Sequence, residues 1–182
     1  MPDRTYAPSS FTEDPDRYKP GGLHPLTIHD AVHHERYRIV HKLGSGSFAT
    51  VWLAKDNQEN RYVSLKVLTS DTPLETKELD VLHKIASAQV KHPGRQFVIQ
   101  LLDDFIIEGP NGKHRCLVTE VAGQRLSRKS DAAMGSLKQA RAVGRQIAQA
   151  LGFLHTIEIA HGGERHLQDF TFEADHYCPR LL

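Results

Sequence analysis

Two glycines set in a run of strand-forming residues constrain this chain more than any other feature. Leu43-Gly44-Ser45-Gly46-Ser47-Phe48-Ala49-Thr50-Val51-Trp52-Leu53 is followed, past a polar turn, by Val63-Ser64-Leu65-Lys66. A glycine pattern alone is compatible with many folds, so its flanks decide its meaning. Dinucleotide-binding and Walker-type loops run from a strand into a helix, whose N-terminus then faces the phosphates. Here Thr50, Val51 and Trp52 are β-branched or aromatic and favour a strand. The spacing predicts a strand-loop-strand hairpin able to wrap phosphates, followed by a third strand that ends in Lys66.

Composition sets the frame for that hairpin. With 182 residues, 39% hydrophobic and 25% charged, the expectation is one globular domain with a real core. The formal net charge of +1 supplies no global field for nucleic acid or an anionic membrane, so neither is expected as a direct partner. Cys116 and Cys178 form neither a disulfide framework nor a metal pair, a usage that fits a reducing compartment. No run of about 18 apolar residues is present, and Met1-Pro2-Asp3-Arg4 lacks the apolar core of a signal peptide. A cytoplasmic or nuclear soluble protein is the expectation. Twelve histidines invite a metal, but they show no ligand spacing, and His33 and His34 are expected to point apart on either a helix or a strand. They read as ordinary surface histidines.

Residues 1–25 carry five prolines and few large aliphatics, which predicts a flexible tail or an extended arm. Tyr18-Lys19-Pro20-Gly21-Gly22-Leu23-His24-Pro25 holds turn formers; plain disorder and an ordered extension along a neighbouring lobe both stay open. From Arg36 the pattern turns to alternation, with a first strand ending at the glycine turn, a second over Thr50 to about Lys55 and a third over Arg61 to Leu68. Thr72-Pro73-Leu74-Glu75 combines a capping box with proline at the first helical position, predicting a helix from there to about Ser87. Leu79, Leu82 and Ile85 form its apolar stripe and Glu78 stands beside it. After a turn at His92-Pro93-Gly94, a fourth strand is expected over Phe97 to Ile107, interrupted by Asp103-Asp104. A hairpin follows at Gly109-Pro110-Asn111-Gly112, and a fifth strand over Cys116 to Val121.

Five antiparallel strands with one helix after the third make an α+β lobe. Beyond it, Ser127 to Asp131 is a short helix or a loop, and Leu137 to His155 follows the 3.6-residue period of a helix. Ile157 to Ala160 is a candidate short strand. A one-sided apolar helix needs a partner layer, and too little chain follows to supply one.

This order resembles the small lobe of a eukaryotic protein kinase with the start of its large lobe. The phrases Lys42 to Leu53, Leu101-Leu102-Asp103-Asp104-Phe105, Asn111-Gly112-Lys113-His114 and Glu120-Val121-Ala122-Gly123 are similar to the serine/arginine-rich splicing-factor protein kinase family, in its fungal-type branch. The resemblance spans roughly Gly22 to Phe172 and divides the chain into an arm (1–25), a small lobe (26–122), a partial large lobe (123–172) and a tail (173–182). It implies a serine/threonine kinase that uses ATP and Mg2+ and acts on Arg/Ser-rich proteins. It implies that Leu43, Gly44, Ser45, Gly46, Ser47, Phe48, Ala49 and Val51 surround the nucleotide, with Ala49 in place of a third glycine. Lys66 would pair with the α- and β-phosphates and be held by Glu78. Thr119 would guard the back of the adenine pocket, with the Glu120 carbonyl and Ala122 amide bonding the base.

The catalytic loop departs from the family's His-x-Asp followed four residues later by Asn. His161-Gly162 is followed by Gly163, then Glu164, with Asp169 further on. If one residue is inserted, Glu164 replaces the catalytic base and Asp169 the magnesium-binding amide. Asp169-Phe170-Thr171 stands too close behind that loop to be the metal-binding Asp-Phe-Gly. The sequence thus reads as a kinase chain truncated in its large lobe. Three readings stay open: an ATP-binding chain with impaired transfer, a possible pseudokinase; an active kinase; and a non-catalytic interaction module.

Overall fold

The computed structural model describes residues 13–122 and 137–160. The chain forms two compact units, Met1–Thr76 with Asp103–Thr119 and Lys77–Leu102 with Glu120–Leu182. The described residues of the first build a sheet, those of the second a helical layer.

The sheet has six strands in the order β1-β2-β3-β4-β6-β5. They are β1 (Ala31–Val32), β2 (Tyr37–Ser45), β3 (Ala49–Asp56), β4 (Arg61–Leu68), β5 (Leu101–Gly109) and β6 (Gly112–Thr119). β1 and β2, β2 and β3, β3 and β4, and β4 and β6 pair antiparallel. The five strands expected from sequence are present, and β1 adds an edge strand too short to carry a periodic signal. Register partners on neighbouring strands share a face. Trp52, Leu65 and Val118 line up across β3, β4 and β6 and are buried, as are Thr50, Val67 and Cys116. Burial pushes the Cys116 thiol up to about 12, so it stays protonated and inert.

Residues 13–24, read from sequence as a tail or an arm, lie along this sheet. Asp14 caps a 3-10 turn, Pro15–Arg17. Gly21 and Gly22 accept from the amides of Asp71 and Ser70, and the Gly21 amide donates to Asn111 in the β5–β6 turn. Leu23 is fully buried, and its carbonyl accepts from the Asn111 side chain at 2.6 Å. Gly22 is required by close approach: a Cβ there would overlap the Arg17 carbonyl.

Asp103 and Asp104 do not interrupt β5, because each has an arginine. Asp103 accepts from Arg36 at 3.0 Å and from the Tyr37 hydroxyl at 2.7 Å, and Asp104 accepts from Arg115 at 2.7 Å. Phe97 falls instead in a 3-10 turn, Pro93–Phe97, which delays β5 to Leu101. The fifth expected strand stops at Thr119, short of Val121. His33 and His34 lie on neither helix nor strand. With Glu35 they form a left-handed turn, φ 54°, 54° and 63°, in which their rings come within 5.7 Å.

In the second unit α1 covers Lys77–Ser87, with Leu79, Leu82 and Ile85 buried as expected. It starts later than the capping signals predict. The Thr72 hydroxyl bonds Thr69 at 2.8 Å, and Arg115 takes the Leu74 carbonyl at 2.9 Å and the Glu75 carboxylate at 2.8 Å. The groups that would have opened the helix are engaged elsewhere.

α2 runs over Leu137–Thr156. Its partner layer comes from earlier chain rather than later: Ala150, Phe153 and Leu154 pack with Ile85, Phe97 and Val98, and Ile157 closes the cluster. The α2 backbone approaches Gly94 so closely that a Cβ there would overlap the Gln149 carbonyl. Ile157 to Ala160 is not a strand; the Ile157 and Ile159 amides turn back to Phe153 and Leu154. Residues Ser127 to Asp131 lie outside the described residues.

Candidate functional site

The glycine loop sits between β2 and β3 and is shaped by a bulge. Lys42 pairs with Trp52 and Gly44 with Val51, so Leu43 is the extra residue. Bulges of this kind re-aim side chains at strand ends. Leu43 is half-exposed, Ser45 to Ser47 are exposed, and Phe48 at the tip is 70% exposed. Two backbone bonds close the loop: the Gly46 amide to the Ala49 carbonyl at 2.8 Å, and the Thr69 amide to the Phe48 carbonyl at 2.9 Å. Ala49 is buried at its base.

Gly44 and Gly46 are not explained by the fold around them. A Cβ at either would meet nothing within 4 Å, and neither has the positive φ that favours glycine. Packing and backbone conformation are the two ordinary reasons for glycine.

Beneath the loop the register builds one row. Gly44 pairs with Val51, Val51 with Lys66, and Lys66 with Leu117, so these four residues share a face across β2, β3, β4 and β6. Val51 and Lys66 are partly buried there. Thr119 joins the same face, since it pairs with Ser64, two residues from Lys66. Glu120 and Ala122, beyond the end of β6, are exposed. Glu78 stands in the first turn of α1, in the second unit. Glu164 and Asp169 lie outside the described residues. Among the described residues no cluster of three or more histidine, cysteine or acidic side chains could hold a metal.

A residue that sequence reasoning missed completes the loop. The Arg17 guanidinium donates to the Gly46 carbonyl at 2.7 Å and also to the Ser47 carbonyl. A trans peptide sets its N–H opposite its C=O. Both carbonyls point at one guanidinium, so the Ser47 and Phe48 amides both face away from it. Two adjacent backbone donors are thereby turned to one side of the loop.

Nearby, Lys42 is clamped by the arm. Its ammonium bonds the Glu13 carboxylate and, at 3.2 Å, the Tyr18 hydroxyl, and lies 5.0 Å from the Trp52 ring centroid. Burial alone would raise the Glu13 carboxyl, but the hydrogen bonds from Lys42 and Tyr18 outweigh it and hold it at about 2. Lys42 shares its face with its partner Trp52, whereas Val51 and Lys66 face the other way. The arm therefore holds Lys42 on the face opposite the Val51–Lys66 row. The turn formers of Tyr18 to Pro25 left an ordered extension open, but an arginine bonding carbonyls 29 and 30 residues away leaves no local pattern.

The described site is thus a bulged glycine hairpin over a register-matched valine and lysine in an antiparallel sheet, with a strand rather than a helix following the loop. Residues 37–162 match the protein kinase domain family, and the chain belongs to that family. It is 41% identical over 149 residues to the serine/threonine-protein kinase spk-1 of Caenorhabditis elegans and 40% identical over 150 residues to human SRSF protein kinase 3. Each alignment covers 79% of this chain, but 15% and 26% of those relatives. Protein kinase dsk1 of Schizosaccharomyces pombe is 44% identical over 117 residues, 63% of this chain and 22% of that one. The chain thus spans about a quarter or less of the length of these three relatives, and the likeness places it with SRPK-type kinases.

Proposed function

We propose that this chain binds ATP through its sheet unit, as a serine/threonine kinase of the SRPK type, and transfers phosphate weakly. The observation that carries the nucleotide reading is the pair of glycines that neither packing nor backbone conformation requires, set above the Val51–Lys66 row. Gly44 and Gly46 let the phosphates approach the backbone, and the Ser47 and Phe48 amides donate to them. Lys66 pairs with the α- and β-phosphates. Leu43 and Val51 enclose the adenine, and Phe48 covers the loop tip. Thr119 limits the depth of the base pocket, and the Glu120 carbonyl and Ala122 amide bond the base.

ATP supplies the transferable phosphoryl group, and Mg2+ the countercharge that such a transfer needs. The chain's own contribution to transfer rests on Glu164 as base and Asp169 as metal-binding oxygen. Gly163 stands where the family has its aspartate, and a longer glutamate one residue on would not set its carboxylate at the same point. A displacement of about 1 Å costs on the order of 100-fold in rate. Likeness to SRSF protein kinase 3 supports Arg/Ser-rich proteins as the substrate class. No described helix is long and apolar enough to cross a membrane.

Thermal shift against ATP with magnesium tests the binding. At about 100 times the dissociation constant a ligand adds roughly 2.7 kcal/mol, so a clear rise in melting temperature is expected, mostly lost in Lys66→Ala. A flat response in the unsubstituted chain sinks the reading. Transfer of radiolabel to an Arg-Ser peptide is expected to be slow and to disappear in Glu164→Ala. A rate typical of kinases would overturn the impairment.

A further inference from the structure

We propose that Arg17 is a positioning residue for the nucleotide phosphates: the N-terminal arm acts as a strap whose guanidinium fixes the two peptide planes at the tip of the glycine loop. This rests on the ATP reading above and extends it to a residue outside the hairpin. The loop has little of its own to hold it. Ser45, Gly46, Ser47 and Phe48 are exposed, and two backbone bonds close it at Gly46 and Phe48. Free to rotate, the Gly46–Ser47 and Ser47–Phe48 peptides would as readily present carbonyl oxygens to a phosphate, which repels them, as amides, which bind it.

Arg17 removes that freedom. It takes both carbonyls on one side and leaves both amides on the other. A guanidinium suits the task, since its donors are spread in a planar fork that can engage two acceptors at once.

The arm can act as a strap because its other end is anchored. Arg17 closes the 3-10 turn capped by Asp14, and its own carbonyl accepts from the Leu23 amide at 2.8 Å. Beyond it, Gly21, Gly22 and Leu23 are bonded to Ser70, Asp71 and Asn111, and Leu23 is buried. On either side of it in the chain, Glu13 and Tyr18 hold Lys42 at the base of the loop. The guanidinium is thus delivered from a fixed platform. Losing it releases the loop tip and leaves Val51 and Lys66 in place, so phosphate affinity falls and base affinity does not.

The test compares the full chain with Arg17→Ala and Arg17→Lys by titration with adenosine and with ATP and magnesium. Arg17→Ala is expected to weaken ATP about tenfold, the scale of charge-assisted hydrogen bonds, with adenosine unchanged. Arg17→Lys, whose ammonium lacks the fork, should fall between. In nucleotide-free protein, hydrogen exchange at the Gly46 and Thr69 amides, whose bonds close the loop, should quicken in Arg17→Ala while the Val67 amide in β4 does not change. An Arg17→Ala chain that keeps the ratio of ATP to adenosine affinity, or loses both ligands equally, overturns the strap. Unchanged exchange at Gly46 and Thr69 does so too. An unsubstituted chain that binds neither ligand overturns the nucleotide reading itself, and this use of Arg17 with it.

Discussion

In the sheet unit arginine–carboxylate pairs tie distant segments together, and in the helical unit the corresponding tie is an apolar cluster. Arg36 holds buried Asp56 through two bonds of 3.0 and 3.1 Å and reaches Asp103 at 3.0 Å, while Arg115 joins Asp104, Leu74 and Glu75. In the helical unit Ile85, Phe97, Val98, Ala150, Phe153, Leu154 and Ile157 form one apolar cluster. Charge pairs specify which segments meet, because a wrong pairing strands a buried charge. Apolar packing is less selective, and depends instead on how closely the backbones approach. The glycine hairpin belongs to the charged unit, where a strap from a remote arm can be aimed at named carbonyls.

The largest effect should come from the closest backbone approach. Gly94→Ala pushes a methyl group into the Gln149 carbonyl and the Ala150 amide, both backbone groups of α2 that cannot swing aside. Overpacking against rigid neighbours costs about 3 kcal/mol or more. Hydrogen exchange should show the amides of α2 losing protection. Full protection retained in α2 would mean that the 3-10 turn and the helix can slide apart without loss, and the contrast between the units would fail.

Next comes the charged counterpart. Asp56→Ala removes both carboxylate oxygens from Arg36 and the acceptor for the Gln58 and Glu59 amides. Breaking a buried pair by removing one partner costs about 3 to 5 kcal/mol where both charges are buried. Arg36 is 19% exposed and can recover some hydration, which sets the expectation near the lower end. Denaturant unfolding followed at Trp52 measures it. A loss below about 1 kcal/mol would show that the network specifies pairing without stabilising it.

These two sites also show what the sequence could reveal. The α+β architecture, the hairpin, α2 and the buried stripe of α1 were legible because each has a local period or a turn signal. The hairpin and the strand that carries Lys66 were legible, but the register that aligns Gly44, Val51 and Lys66 was not, because the bulge at Leu43 leaves no local signal. Asp103 and Asp104 misled because their partners, Arg36 and Arg115, lie 67 and 11 residues away. The capping box at Thr72 misled for the same reason: Arg115 claims Leu74 and Glu75 from 41 and 40 residues away. The partner layer of α2 was overlooked because it precedes the helix in the chain.

Acid should separate the units further. Burial, helped by the neighbouring His114 ring at 4.8 Å, pushes the His24 imidazole down to about 4, against the weaker upward pull of Asp30. A folded-state value below the ordinary 6.5 means that the unfolded chain takes up the proton first. Stability is therefore full above about pH 6.5 and falls as the pH drops towards 4. Glu13 adds a second loss between its ordinary 4.5 and about 2. Denaturant midpoints of the sheet unit between pH 7 and 4 should decline, and His24→Gln should flatten that decline. An unchanged slope in the variant would assign the acid sensitivity to another group.

The smallest effect has the opposite sign. Gly144 lies in the interior of α2, exposed, and a Cβ there would meet nothing within 4 Å. Glycine in a helix interior is about 1 kcal/mol less favourable than alanine, because the unfolded chain loses more freedom on ordering. Gly144→Ala should therefore raise the protection of the α2 amides by up to fivefold, the same scale expressed as an opening constant. Gly94 and Gly144 thus make a matched pair: one substitution, glycine to alanine, destabilises where backbone meets backbone and stabilises where the helix faces open space. If both destabilise, α2 is sensitive to any change, and its stability depends on more than the apolar cluster. If the signs differ as expected, close approach at Gly94 is what seats the helix, and the contrast with the charge-paired sheet stands.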